Sequence, residues 1–599
     1  MKFLRRLLIW AALLVTQVRP FVFSPGSKRR CGCHQNALLK EEIQPQQHVD
    51  ELKSPGSSCP MLELVPSVPI LGSFFPPLTG VPSLNRTFPI RFNVLMNKKY
   101  GDFYRMGVPT FGKDIQPDLY VLTDPAEMQK VVQSQPDMDE AATIPPKYQY
   151  PVGVVEQQWP LFEYLQQQNT TMAYIFSRGP DWWQARQALQ AGLVNPPRQS
   201  IVKGAIRASR RISDSVAINN NDTTGADGWQ ALRSDHFVHQ LHRAAFDMLE
   251  QLLFHESAFS STSVDNDGLS DRLFEATLQG MLQAQVLRRS PWQNLMRALG
   301  LETRAMRTCH ENLEQATSII RQRVENLLEQ SNGEKSQYNQ NNNNQNRSAY
   351  TSYIMRQVNS TMSMDDLPFA CLTLLLGGID TTAGKISWNI LQLALHPPIQ
   401  ESLHKELTAV DGDCVRMNRT TISQDVLDRA RTPWLHCVIR ETHRLTPALT
   451  HNVIKDTLAS NVSIHNRTFE RQSAFLLDST SPQLNSKLFK DEDPYVYNPT
   501  RWFREAVRAR QGTDAQLLDH PYLSQPFGQG QRRCPGAALA SAEVHAFIAQ
   551  FVMDFQVDIA CQDEKVDAID YRDIPSRMNT GPVPIFPDRM RIRRRQPQH

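Results

Sequence analysis

Ten residues near the C-terminus, Phe527-Gly528-Gln529-Gly530-Gln531-Arg532-Arg533-Cys534-Pro535-Gly536, hold one cysteine at the end of a glycine-rich loop, just ahead of a strongly helical stretch. The run from Pro535 to Phe555 reads as a helix with Pro535 in its first turn and Cys534 at its cap. Free N–H groups and the positive end of the helix dipole there favour an anionic sulfur. Gly528, Gly530 and Gly536 allow tight turns and close approach to something flat and bulky, and Arg532 supplies a fixed positive charge two residues before the sulfur. A haem with its anionic propionates meets all of these demands, whereas a lone cysteine elsewhere would read as a small buried hydrophobe.

A second group lies in the middle of a long apolar run. Gly377-Gly378-Ile379-Asp380-Thr381-Thr382 puts two glycines where each costs about 1 kcal/mol relative to alanine in a helix. Close approach of a planar ligand would require them. Asp380 is a charge inside an apolar helix, so it needs a function or a partner. The plainer alternative is a local kink in which the Thr381 and Thr382 hydroxyls bond back to the preceding turn. Glu441 and Arg444 stand three apart on one helical face, and Tyr497-Asn498-Pro499-Thr500-Arg501-Trp502 supplies a further arginine. Upstream, Trp182 and Arg186 stand four apart, a spacing that alone reads as packing plus a solvated charge.

Taken in order along the chain, these segments resemble the cytochrome P450 family. Phe527, Arg532, Cys534 and Gly536 match its haem-ligand signature, and Gly377 to Thr382 match its oxygen-activating segment. The resemblance implies a mainly α fold with small β-sheets, in which a long central helix crosses haem b. It implies that Cys534 ligates the iron, that Gly377 and Gly378 admit the haem, and that Trp182 and Arg186 bind a propionate. Asp380 would relay protons, and Thr381 would hydrogen-bond the dioxygen being reduced. Glu441, Arg444 and Arg501 would form one buried network that locks the cysteine loop, costly if any partner is removed.

The implied activity is a monooxygenase, placing one atom of O2 in an apolar lipid, sterol, carotenoid or terpenoid. Electrons would come from a separate ferredoxin or flavoprotein reductase, since the chain holds no flavin or nicotinamide motif. The same fold can serve a peroxide-dependent isomerase or dehydratase, or a haem-binding sensor without catalysis. Gly378 to Thr382 running into Ser387-Trp388 is similar to the mitochondrial branch, which uses a ferredoxin. Arg440 keeps one basic position by which that branch docks its donor, while His436, Ala537 and Ala538 stand at others.

The elements that position these residues are less sharply marked. From Leu367 to Leu395 an apolar helical pattern is opened by Asp365, Asp366 and Pro368 and closed by His396-Pro397-Pro398. Tyr100 to Arg105 and Tyr120 to Leu122 read as strands of a small sheet. The 599 residues, without repeats, read as a leader over 1–58 and one catalytic domain over 59–599. A net charge of +3 gives no case for nucleic acid, and the basic end from Arg589 to Arg595 reads as flanking a last strand. Scattered cysteines exclude a disulfide scaffold.

The first forty residues hold Lys2, Arg5, Arg6, Arg19, Lys28, Arg29, Arg30 and Lys40 but no acid, with a short apolar run from Leu7 to Val18. A two-part leader to a mitochondrion or plastid accounts for both features, and a retained membrane anchor, as in the endoplasmic reticulum, accounts for them equally. Either way contact with a membrane surface is expected. Six prolines from Pro60 to Pro82 mark a stiff entry segment. Asn219 to Gly228 and Asn339 to Asn346 are polar insertions too low in complexity for a core.

Overall fold

In a computed structural model of the chain, the apolar run from Leu367 to Leu395 forms one helix, roughly 43 Å long at about 1.5 Å per residue. The structure describes residues 63–65, 89–107, 118–134, 159–176, 179–190, 193–218, 228–254, 268–334, 363–410, 421–449, 455–456, 462–469, 473–489, 492–560, 571–578 and 580–595. The leader, the entry prolines and the two polar insertions up to Gly228 lie outside them.

A five-stranded sheet contains β1 (Glu63–Leu64), β2 (Phe103–Gly107), β3 (Asp118–Leu122), β4 (Lys455–Asp456) and β5 (Ala474–Leu477), in the order β1-β2-β3-β5-β4. The expected strand pair is therefore present, antiparallel, with Phe103 opposite Leu122. Its start differs from the sequence reading. Tyr100 closes the helix Pro89–Tyr100, and Gly101 at φ 80° turns the chain into β2. A two-stranded hairpin, β6 (Ser576–Met578) and β7 (Pro582–Pro584), follows near the end of the chain.

Helices make up most of the rest: α1 (Pro125–Gln133), α2 (Gly179–Gln190), α3 (Arg198–Ile218), α4 (Ser234–Phe254), α5 (Leu269–Arg289), α6 (Pro291–Ala298), α7 (Arg304–Glu334), α8 (Leu367–Leu395), α9 (Pro433–Leu445) and α10 (Ala537–Asp554). The central helix α8 is apolar nearly all round, as a helix with neighbours on every side must be. It packs against α4, α7, α9 and α10. Leu372, Leu375, Ile379, Ile386, Ile390 and Leu391 are wholly buried, and each such side chain contributes about 1.5–3 kcal/mol. The helix is long and apolar enough to cross a membrane, yet its burial inside the protein marks it as a core helix.

The opening of α8 is built differently from the sequence reading. Ser363 Oγ accepts from the Asp366 N–H, while the Asp366 carboxylate accepts from Thr170 Oγ1 at 2.6 Å and from the Thr171 N–H at 2.8 Å. Asp366 thus ties the helix start to a neighbouring segment instead of capping it. At the other end of the chain the basic residues lie within a strand, Met590–Arg594, paired with Phe555–Ile559. The guanidiniums of Arg591 and Arg593 stack on Trp229, which explains a basic cluster without an external anion.

Candidate active site

The cysteine loop is closed by its own backbone. The Cys534 N–H donates to the Phe527 carbonyl at 2.9 Å, and the Arg533 N–H donates to the Gly530 carbonyl at 3.1 Å. Gly528 and Gly530 take φ of 72° and 74°, a region that suits glycine. A Cβ on Gly530 would stand 2.5 Å from Val132 Cγ1, so this glycine also lets the loop seat on α1.

Helix α10 begins at Ala537 with Gly536 at its N-cap, two residues later than expected, which leaves Cys534 ahead of the cap. The thiol is exposed. Surrounding protein pushes it above its ordinary range, against the Gly536 N–H and then Arg186 and Arg533, which pull it down. The helix end alone therefore does not ionise this sulfur. A coordinated metal ion does so outright.

Trp182, Arg186, Arg532 and Cys534 come together here as expected. The Arg532 guanidinium lies 3.6 Å from the centroid of the Trp182 ring, which is buried. Arg186 is buried at 7% exposure and donates to the neutral Gln190 amide oxygen at 3.0 Å. Burial lowers its affinity for the proton, and the Cys534 sulfur, were it ionised, would raise it again. A buried cation whose side-chain partner is uncharged fits an anionic group such as a propionate. The residues present therefore fit haem.

The glycine pair of α8 divides its work. A Cβ at Gly377 meets no protein atom within 4 Å, so this position faces open space. A Cβ at Gly378 would stand 2.7 Å from Leu249 Cδ1, so Gly378 serves the packing of α4 on α8. Thr381 is half-buried and donates to the Gly377 carbonyl at 2.9 Å. Thr381 thus adopts the back-bonded geometry, which leaves its oxygen free to accept a hydrogen bond, while the buried Thr382 hydroxyl does not bond back.

Asp380 turns the other way and is 1% exposed. Its Oδ1 lies 2.9 Å from His242 Nε2 on α4, and its Oδ2 accepts from the Thr580 N–H at 2.7 Å beside the β6–β7 hairpin. His242 Nδ1 lies 2.8 Å from the Val238 carbonyl, so both ring nitrogens face acceptors. His242 and Thr580 are absent from the sequence reading. His236, His239 and His242 recur every three residues, and only the last continues the buried face formed by Phe237 and Leu241.

Glu441, Arg444 and Arg501 form the expected network. Arg444 donates to both Glu441 oxygens, at 2.9 and 2.7 Å, and Arg501 Nε donates at 3.0 Å. The sequence reading missed the Trp502 indole N–H at 2.7 Å and the Asn498 N–H at 3.0 Å, which complete the carboxylate's shell. Burial alone would raise Glu441, but Arg444 and then Arg501 hold its carboxyl below the usual range. Arg440, the expected docking position, has partners of its own within the fold. It stacks 3.8 Å from the Trp502 ring centroid and donates to Asp519.

A family model described as Cytochrome P450 matches residues 147–576. Among curated proteins, the chain is 24% identical over 414 residues to "Sterol 26-hydroxylase, mitochondrial" of Mus musculus, covering 69% of this chain and 71% of that protein. It is 31% identical over 186 residues to "25-hydroxyvitamin D-1 alpha hydroxylase, mitochondrial" of Mus musculus, covering 31% and 32%. It is also 27% identical over 199 residues to "Probable cytochrome P450 6a13" of Drosophila melanogaster, covering 33% and 37%. The alignments thus span about a third of the length of the last two relatives. With the family match extending over more than half of its length, the chain belongs to the cytochrome P450 family.

Proposed function

We propose that this chain hydroxylates an apolar lipid of the sterol class, using O2 and electrons from a separate redox protein. The observation that carries the reading is the exposed Cys534 thiol with the buried Arg186 guanidinium beside it. Haem bound through that sulfur would supply the activation of oxygen. The side chains would do the rest. Trp182 and Arg186 would hold a propionate, Gly377 would keep the space above open, and Thr381 would accept a hydrogen bond from water or from the reacting oxygen. Asp380, anchored by His242 and Thr580, would exchange protons with that water.

The sterol class rests on the names of the relatives, as does a mitochondrial site. Membrane contact is supported by Val286, Trp292, Leu299 and Leu301, exposed at 69, 43, 60 and 54% on and around α6, an apolar patch that lipid would cover. The donor would be a ferredoxin or a flavoprotein reductase, docked without Arg440, whose charge is occupied by Trp502 and Asp519.

Turnover of a sterol panel under isotope-labelled dioxygen, with reductant supplied by each donor type, tests this reading. One labelled oxygen atom in the product is expected. A rearranged product without label, formed from added peroxide, would instead establish the isomerase reading.

A further inference from the structure

One helical turn beyond Thr381, on the same stripe of α8, stands Lys385. Its side chain is 8% exposed, and its Nζ meets no hydrogen-bond partner among the described residues. Helices α9 and α10 pack against α8 and against each other, and they bring three histidines to this seam. His443 on α9 is buried with Nδ1 unpartnered. His436, also on α9, is half-buried with Nε2 unpartnered. The ring of His545 on α10 lies 4.2 Å from that of His436, centroid to centroid. Its Nδ1 lies 2.6 Å from the Ser541 carbonyl and so carries a hydrogen.

The charge of Lys385 bears on both His443 and His545. The cations facing the group from other positions are Arg440, toward His443, and Arg429, toward His436. No acid is prominent among them. Burial pushes Lys385 and His443 well below their ordinary ranges, His545 down to about 4 and His436 to about 3. The three histidines are therefore uncharged near neutral pH, and Lys385 releases its proton more readily than an exposed lysine.

A buried polar atom without a partner is destabilising. Three in one interhelical seam, at Lys385, His443 and His436, are the situation that internal water resolves in folded proteins. The seam opens at half-buried His436, beside exposed Arg429, and ends one turn from Thr381.

We propose that Lys385, His443, His545 and His436 line a water-holding seam that carries protons from the surface at Arg429 to Thr381, by a route separate from Asp380. Each group passes one proton on and takes up another, so none changes charge once a proton has crossed. Two protons and two donor electrons per O2 convert substrate R–H into R–OH and one water, and the seam supplies protons to that balance. This route rests on the monooxygenase reading.

A high-resolution crystal structure of the haem-loaded enzyme is the first test. Ordered water within hydrogen-bond distance of Lys385 Nζ and His443 Nδ1 is expected, and a dry seam overturns the proposal. The second test uses Lys385→Met and, in case that variant folds poorly, His545→Gln, both checked for haem content. Peroxide released per product in donor-driven turnover should rise roughly tenfold, below what a positioned proton donor commonly contributes. Turnover driven by added peroxide, which brings its own protons, should fall several-fold less. Equal losses in both assays, or unchanged coupling, overturn the proton route. A wild-type enzyme with no oxygen-dependent turnover overturns the monooxygenase reading and the route with it, and is told apart because hydration of the seam is read from the crystal alone.

Discussion

The carboxylate of Asp380 has both oxygens engaged, one by His242 and one by the Thr580 N–H, although it is the sole acid on α8. Replacing it by asparagine keeps the shape and removes the charge. Oxygen-dependent turnover of Asp380→Asn should fall at least about a hundredfold, the scale of a lost proton carrier. Wild-type turnover would leave Asp380 a purely structural partner of His242. The neighbouring glycines give a cleaner contrast. Gly378→Ala should lower the melting temperature through its clash with Leu249, while Gly377→Ala, free of any clash, should raise it slightly and alter ligand access. A thermal melt with a substrate-binding titration separates the two. The charge of Asp380 was visible in the sequence as an anomaly in an apolar run, and so was the glycine pair. What the second glycine is for could not be read, because Leu249 lies on another helix more than a hundred residues away.

At the scale of elements, the network around Glu441 would hold the cysteine loop from one helix away. Glu441 joins α9 to Arg501 and Trp502, and its carboxylate faces five donors. Glu441→Ala would leave the buried Arg444 guanidinium without a carboxylate and Arg501 with only the exposed Glu492, at a cost of about 3–5 kcal/mol. The expected result is protein recovered with little haem, measured as the haem-to-protein ratio. Full haem content would separate the network from the loop. Because the Glu441 carboxyl is held below 4.5, the stability it supplies is present above that pH and is lost as pH falls.

Glu543 on α10 has the opposite sign. Burial raises it from 4.5 to about 8, so the fold retains its proton. Its cost is absent below 4.5, grows between those values and is constant above the upper one. Glu543→Gln should therefore raise the melting temperature by a few degrees near pH 9 and change little near pH 5, and equal shifts at both would refute the assignment. The long helix α8 was legible to the residue, because an unbroken apolar run between caps and prolines admits few alternatives. The start of α10 was not, because Pro535 suits a turn before a helix as well as its first residue.

For the whole molecule, the order of four short motifs was enough to give the family and the mainly α architecture, and the match over 147–576 bears this out. Distant partners stayed hidden: Arg440 is a basic residue in sequence, yet Trp502 and Asp519 absorb it only in the folded chain. The central claim is that Cys534 presents a thiolate to haem iron. The absorption spectrum of the purified, reduced protein under carbon monoxide tests it most directly, since it reports the axial ligand without substrate or redox partner. The account predicts the strongly red-shifted Soret band of thiolate ligation, abolished in Cys534→Ala. A Soret band at the position of a neutral ligand, or an unchanged spectrum in that variant, would contradict it.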